Sequence, residues 1–184
     1  MGELDHVDAR DHVAIGSRPL PRPAMGISMD SEVVTMKISA ILAAKGADTV
    51  TIAPDANVSD LIALLAQHGI GAVVVSRDGS RIDGIVSERD VVRAMAADPD
   101  AGRTGGVRPK AVSAIMTANV ATISPDDDVD DAMELMTSGR FRHLPVAVEG
   151  SLAGIVSIGD VVKVRLQSLE DERAALVDYV TRGG

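Results

Sequence analysis

The chain has 184 residues, 46% of them hydrophobic and 24% charged, globular proportions that exclude a collagen-like, purely coiled-coil or disordered chain. A net charge of −9, from 18 Lys plus Arg against 27 Asp plus Glu, repels a phosphate backbone, and the lack of cysteine removes disulfides, thiolate metal sites and a thiol nucleophile. No apolar run approaches the roughly 20 residues that span a bilayer, and no charged-then-apolar signal layout is present, so a cytoplasmic protein with neither nucleic-acid nor membrane partner is expected.

Residues 1–35 carry Arg18-Pro19-Leu20-Pro21-Arg22-Pro23 and no apolar period, which predicts a mobile extension. The organised pattern begins at Met36-Lys37-Ile38. A strand over 49–52 ends at Pro54, and Asn57 with Asp60 three residues on reads as a capping box opening a helix. Val58, Leu61, Ile62 and Leu65 fall on one face of that helix, and Gly69 supplies its stop. The runs 70–75 and 82–86 around the turn Asp78-Gly79 signal a hairpin, followed by a helix over 88–97. Pro99, Gly102, Gly105 and Gly106 mark a flexible connector over 98–111. Strands at 122–123, 143–148 and 152–156, with helices at 129–137 and from 158, repeat the same order. Beyond about 166 an amphipathic helical tail, with Leu166, Leu169, Leu176 and Val180 roughly on one face, needs either its own module or a second subunit as partner. Phe141 and Tyr179 are the only aromatic residues, so the core must be built of Val, Ile, Leu, Met and Ala.

The repetition is in register. Thr51-Ile52-Ala53-Pro54-Asp55 returns as Thr122-Ile123-Ser124-Pro125-Asp126, an offset of 71. Gly84-Ile85-Val86-Ser87 returns as Gly154-Ile155-Val156-Ser157 at 70, after one residue is lost in the second hairpin. Upstream, Ser39-Ala40-Ile41-Leu42 aligns with Ser113-Ala114-Ile115-Met116. Two copies of strand-helix-strand-strand-helix predict an α+β fold with pseudo-twofold symmetry and a C-terminal helix.

These residues resemble a tandem pair of cystathionine beta-synthase (CBS) domains, the Bateman module. The resemblance rests on Gly84-Ile85-Val86-Ser87 with Asp90, on Gly154-Ile155-Val156-Ser157 with Asp160, and on Phe141-Arg142-His143-Leu144-Pro145-Val146. The ending Tyr179-Val180 and Gly183-Gly184 is similar to that of stand-alone bacterial CBS-pair proteins. The resemblance implies domains at 36–97 and 112–166, followed by a tail over 167–184. It further implies that AMP, ADP, ATP, NAD or S-adenosylmethionine sits in clefts between the copies. A carboxylate in the first turn of a helix is a good double acceptor for a ribose diol, with a nearby hydroxyl as additional partner.

The crossed geometry of the family implies two composite sites. One combines Ile155, Ser157 and Asp160 with Thr49, Val50, Ile52, Ile70 and Gly71, with Arg142 and His143 toward the phosphates. The other combines Ser87, Arg89 and Asp90 with Val120, Thr122, Phe141 and Arg142. Because Gly69-Ile70-Gly71-Ala72 stands where the second copy has Arg140-Phe141-Arg142-His143, the two sites should not be equivalent. Ser at 87 and 157 replaces the commoner Thr and keeps the hydroxyl.

Simpler roles compete with these. Asp90 and Asp160 suit ordinary helix capping, Arg142 and His143 suit a strand rim, and Met133 and Met136 suit core filling. The acidic run from Asp126 to Asp131 fails the EF-hand pattern, with Asp131 and Thr137 where Gly and Glu are required, so no metal is expected. Walker, G-x-S-x-G and H-E-x-x-H motifs are absent, so no enzyme and no catalytic cofactor are expected. The expectation is a nucleotide sensor regulating an unidentified effector protein, with a ligand-free interaction scaffold as the alternative. A homodimer is expected through helix faces around Leu61, Leu65, Val91, Met95, Met133, Met136 and Val162, extended by Leu169, Leu176 and Tyr179.

Overall fold

A computed structural model of the chain describes residues 36–46, 49–97 and 110–182. The expected extension over 1–35 and nearly all of the 98–111 connector lie outside the described residues. The first helix, α1 (Ile38–Lys45), precedes the first copy. That copy consists of β1 (Thr51–Ile52), α2 (Val58–His68), β2 (Ala72–Val75), β3 (Gly84–Ser87) and α3 (Glu88–Ala96). The sheet order is β1-β2-β3, with β1 parallel and β3 antiparallel to the central strand. All four residues of β2 are buried, as an uninterrupted Ala-Val-Val-Val run requires. The expected strands at 49–52 and 70–75 begin two residues late. Val50 and Ile70 instead pack beside the first core from the approaches to β1 and β2.

The second copy holds α4 (Val129–Gly139), β4 (His143–Val148), β5 (Ser151–Ser157) and α5 (Ile158–Arg182). β4 and β5 pair antiparallel through the turn Glu149-Gly150, both of whose residues have positive φ, as a tight hairpin favours. The expected strand at 122–123 reduces to a single parallel bridge, in which the Ile123 N–H donates to Pro145 O (3.1 Å) and the Ala147 N–H donates to Ile123 O (2.9 Å). α5 continues through 166 as one helix of 25 residues, because no Gly or Pro follows Gly159 until its end.

Local signals account for the boundaries. α2, α3 and α4 each open on a reciprocal capping box, formed by Asn57 with Asp60, Ser87 with Asp90, and Asp128 with Asp131. α2 ends on Gly69 in the left-handed region, whereas its counterpart α4 ends on Arg140 in the same conformation at φ 55°. A side chain there costs about 1 kcal/mol relative to glycine.

The segment leading each copy packs on the other copy. The first core joins Ile52, Val58, Leu61, Leu65, Val73, Val75, Val86 and Val91 to Val112, which belongs to the short 3₁₀ turn Val112–Ala114 leading copy two. The second core joins Ile123, Val129, Ala132, Met136, Leu144, Val146, Val156 and Val161 to Ile38 and Ile41 of α1. Matching backbone bonds fix the exchange. The N–H groups of Ile38 and Ser39 donate to Asp127 O (3.0 Å) and Pro125 O (2.9 Å), and those of Val112 and Ser113 donate to Ala56 O and Pro54 O (both 2.8 Å).

The exchange explains the glycine of the repeated motif. A Cβ on Gly84 would lie 2.8 Å from both Met116 Sδ and Thr117 O, and one on Gly154 would lie 2.6 Å from Leu42 Cδ2. Each glycine therefore makes room for the incoming segment.

The packing corrects the expected dimer face. Leu61, Leu65, Val91 and Met136 are core residues of their own copies, so an Asp at Leu65 or Met136 would disrupt folding rather than release a partner. Ile62, expected beside Leu61, is instead exposed, and Val92 and Leu135 are exposed too, while Met95 and Val162 of the expected face do lie in solvent.

Candidate functional site

The two aspartates of the repeated motif stand at helix starts, each capping through one oxygen. Asp160 Oδ2 accepts hydrogen bonds from the Ser157 N–H (2.8 Å) and Ser157 Oγ (2.7 Å). Asp90 Oδ2 accepts from the Ser87 N–H (2.9 Å) and Ser87 Oγ (2.6 Å). Among the described residues every hydrogen bond to either carboxylate falls on Oδ2. Capping and ligand binding are thus compatible, since Oδ1 still has its lone pairs. Among the described residues the nearest cation to Asp90 Oδ1 is Arg93, at 3.9 Å.

The copies part company at the leading segments. The Lys45 Nζ, at the end of α1, donates to Asp160 Oδ2 (2.8 Å) and to Ile155 O (3.2 Å). At the equivalent position in copy one, Ile85 O accepts instead from the Thr117 N–H (2.9 Å), a backbone bridge. A charged side chain in one copy therefore does what the main chain does in the other. Burial alone would raise the Asp160 carboxyl, but hydrogen bonds from Lys45 and Ser157 outweigh it and hold the group below its ordinary value.

His143 completes this cluster. Its ring faces Gly71 and Glu88 of copy one; a Cβ built on Gly71 would be 3.4 Å from His143 Cε1 and 3.7 Å from Glu88 Oε2. Burial, assisted by the positive charge of Lys45, pushes the imidazole below its ordinary value and keeps it neutral at pH 7. The helix starts are tied down in parallel fashion, the Glu88 N–H donating to Gly71 O (3.0 Å) and the Ile158 N–H to Arg142 O (2.8 Å).

Of the expected residues, Ser157, Asp160, Ile155, His143 and Gly71 are brought into one neighbourhood. Lys45 and Glu88 belong with them and escaped sequence reasoning. Arg142 and Arg89 are exposed, with Arg142 close enough for its charge to act on His143. Ile52 is buried in the first core, so it offers little surface to a ligand. Phe141 packs against the second core and over Gly139 rather than standing free as a slot wall. Thr49 and Val120 are half-buried and Thr122 is exposed; among the described residues no hydrogen bond joins them to either aspartate. A shallow depression on α4, lined by Asp130, Met133, Glu134, Thr137 and Ser138, contains none of the expected residues. Among the described residues no cluster of three or more His, Cys, Asp or Glu could hold a metal, and no helix is long and apolar enough to cross a membrane.

Comparison with known proteins gives a consistent result. The family model for the CBS domain matches residues 29–97 and 112–167. The chain is 35% identical over 133 residues to the mitochondrial CBS domain-containing protein CBSX3 of Arabidopsis thaliana, a match covering 70% of this chain and 62% of the relative. The chain thus spans about three fifths of the length of that relative. A crystal structure of a CBS-domain containing protein from Agrobacterium tumefaciens is 44% identical at a TM-score of 0.64, covering 71% of this chain and 99% of that one. A CBS domain protein from Pyrobaculum aerophilum, complexed with AMP, is 26% identical at a TM-score of 0.57, covering 68% and 89%.

Proposed function

Because the chain belongs to the CBS domain family and carries the domain twice, we propose that it is a regulatory module whose cleft binds an adenine nucleotide of the AMP, ADP, ATP or NAD type. The observation that carries this reading is the joining of Asp160, Ser157, Lys45 and His143 in one cluster facing Gly71 of the other copy. Asp160 Oδ1 and the Ser157 hydroxyl are suited to a ribose diol, while Lys45 and the exposed Arg142 form a cationic edge suited to phosphate, with the neutral His143 beside them. The AMP bound to the Pyrobaculum protein supports the ligand class. Asp90 shows no counterpart of Lys45 among the described residues, so the Asp160 site is the one that takes the more highly charged ligand.

The proposal extends to a cytoplasmic homodimer assembled through the exposed Ile62, Val92, Met95, Leu135 and Val162, in which occupancy shifts the population of conformers presented to an effector protein. The Lys45–Asp160 pair also favours a second reading, since it already satisfies the carboxylate without any ligand. In that case the chain is an interaction scaffold with silent clefts. Thermal unfolding with AMP, ATP, NAD or adenosine separates the two. A sensor gains melting temperature with at least one of these ligands, and a scaffold with none.

A further inference from the structure

Lys45 is the last residue of α1, a helix fixed on the second copy by the burial of Ile38 and Ile41 in its core. The segment that leads copy two has no counterpart of it. Nine positions separate Leu42 from Thr51, whereas six separate the aligned Met116 from Thr122, and the lysine falls within the longer stretch. One lead therefore brings a cation to the strand before the last helix, where the other brings only the main chain of Thr117.

A lysine ammonium has three donors and no acceptor. Two are engaged within the protein, by Asp160 Oδ2 (2.8 Å) and Ile155 O (3.2 Å), and among the described residues the third meets no acceptor. The side chain is 39% exposed, so that third donor is open to a ligand. Because the ammonium is tetrahedral, two fixed acceptors also fix the direction of the remaining N–H. The long stem is ordered before any ligand arrives, so a ligand that uses this donor does not bear the entropy of ordering it. Arg142, the other cation of the cleft, is exposed, and a contact to it is screened by water.

Resting on the nucleotide reading above, we propose that Lys45 is the specificity-determining residue of the Asp160 cleft, selecting adenosine ligands with an anionic 5′ substituent over those in which it is uncharged. The ribose diol and the ammonium share one carboxylate, the diol at Oδ1 and Lys45 at Oδ2, so the charge carried next to the ribose meets a cation already in place. A phosphate there accepts a charge-assisted hydrogen bond from the third N–H. Adenosine offers no such acceptor and leaves a donor unpaired where it covers the ammonium, and a site built to donate rejects an analogue that cannot accept.

The test is calorimetric titration of the full chain with AMP and with adenosine, in the Asp90→Ala background that isolates this cleft. With Lys45 intact AMP should bind the more tightly, and Lys45→Met should cut the ratio of AMP to adenosine affinity by about tenfold, the lower end for a hydrogen bond to a charged group. Lys45→Arg should keep the preference for AMP, and Arg142→Gln should move the ratio less than Lys45→Met does. Should the methionine variant not fold, Lys45→Gln, which keeps a donor for Asp160 but no charge, should show the same collapse. A merely structural role would weaken both ligands together and leave the ratio where it was. That result, or a larger change in Arg142→Gln, would overturn the assignment of Lys45 while nucleotide binding stood. Binding of neither AMP nor adenosine with Lys45 intact would instead remove the nucleotide reading, and this assignment with it.

Discussion

Lys45 and Asp160 form an ion pair at 2.8 Å although 115 positions separate them in the chain. The pair exists because α1, which leads the first copy, packs against the second. In the other half of the pseudo-twofold the same space is closed by the backbone of Thr117. Two related folds thus differ in what closes the strand before their last helix, a lysine ammonium in one and the main chain in the other.

Removing the carboxylate should weaken nucleotide binding at that cleft. In an Asp90→Ala background, which isolates the second site, Asp160→Ala should lower AMP affinity by about 10- to 150-fold, or about 1.5–3 kcal/mol, the scale of hydrogen bonds to a charged group. The variant also loses a helix cap worth about 1 kcal/mol, so calorimetry belongs well below its melting temperature. Unchanged affinity would remove Asp160 from the ribose site.

The ion pair predicts a pH-dependent stability difference. The Asp160 carboxyl is lowered in the folded state, so its stabilisation is complete above the unfolded value of about 3.9 and is lost as pH falls through the folded value. Lys45→Met keeps most of the aliphatic stem and removes the charge. It should be less stable than wild type at pH 7, with the gap closing once Asp160 is protonated, as followed by denaturant unfolding from pH 7 to 2. A gap that persists at low pH would assign the effect of Lys45 to packing.

His143 should act as a proton reporter of the bound phosphate. Its folded-state value is lowered by burial and by Lys45, so acidification through about 6.5 protonates the unfolded chain first and destabilises the fold. A nucleotide phosphate at the cationic edge favours the imidazolium, so AMP binding between pH 6 and 7 should take up a proton. Calorimetry in buffers of different ionisation enthalpy reads that uptake directly. His143→Gln should abolish it; identical heats across buffers in wild type would separate His143 from the phosphate.

The two motif glycines should differ in their tolerance of a methyl group. At Gly84 the added Cβ meets a backbone oxygen, Thr117 O at 2.8 Å, which cannot turn aside. At Gly154 the obstacle is Leu42 Cδ2 at 2.6 Å, the end of a flexible side chain. Gly84→Ala should therefore cost about 1–3 kcal/mol, the range for overpacking, and Gly154→Ala clearly less. Equal melting temperatures for the two variants would contradict the proposed role of the exchanged segments.

Interactions spanning a few residues were legible without coordinates. The repeat at offsets of 71 and 70 is read by matching the chain against itself, while the box of Asn57 with Asp60 and the hairpin between the last two strands follow from residues at most a few positions apart, whose geometry the backbone dictates locally. For the same reason Ser157 with Asp160 stood out as a helix start carrying a carboxylate, whereas His143 and Gly71 were joined to it only by the crossed geometry that the family resemblance implies. Tertiary structure decided which core each segment fills. Both copies offer the same Val-rich and Ile-rich interior, so nothing local to Ile38 or Val112 says which half it fills. It also decided that Leu61 and Met136 face inward while Ile62 faces out, because a helical stripe is wider than the core it meets. Lys45 and Glu88 joined the site only through that long-range packing, since nothing within four residues of either points to Asp160 or His143.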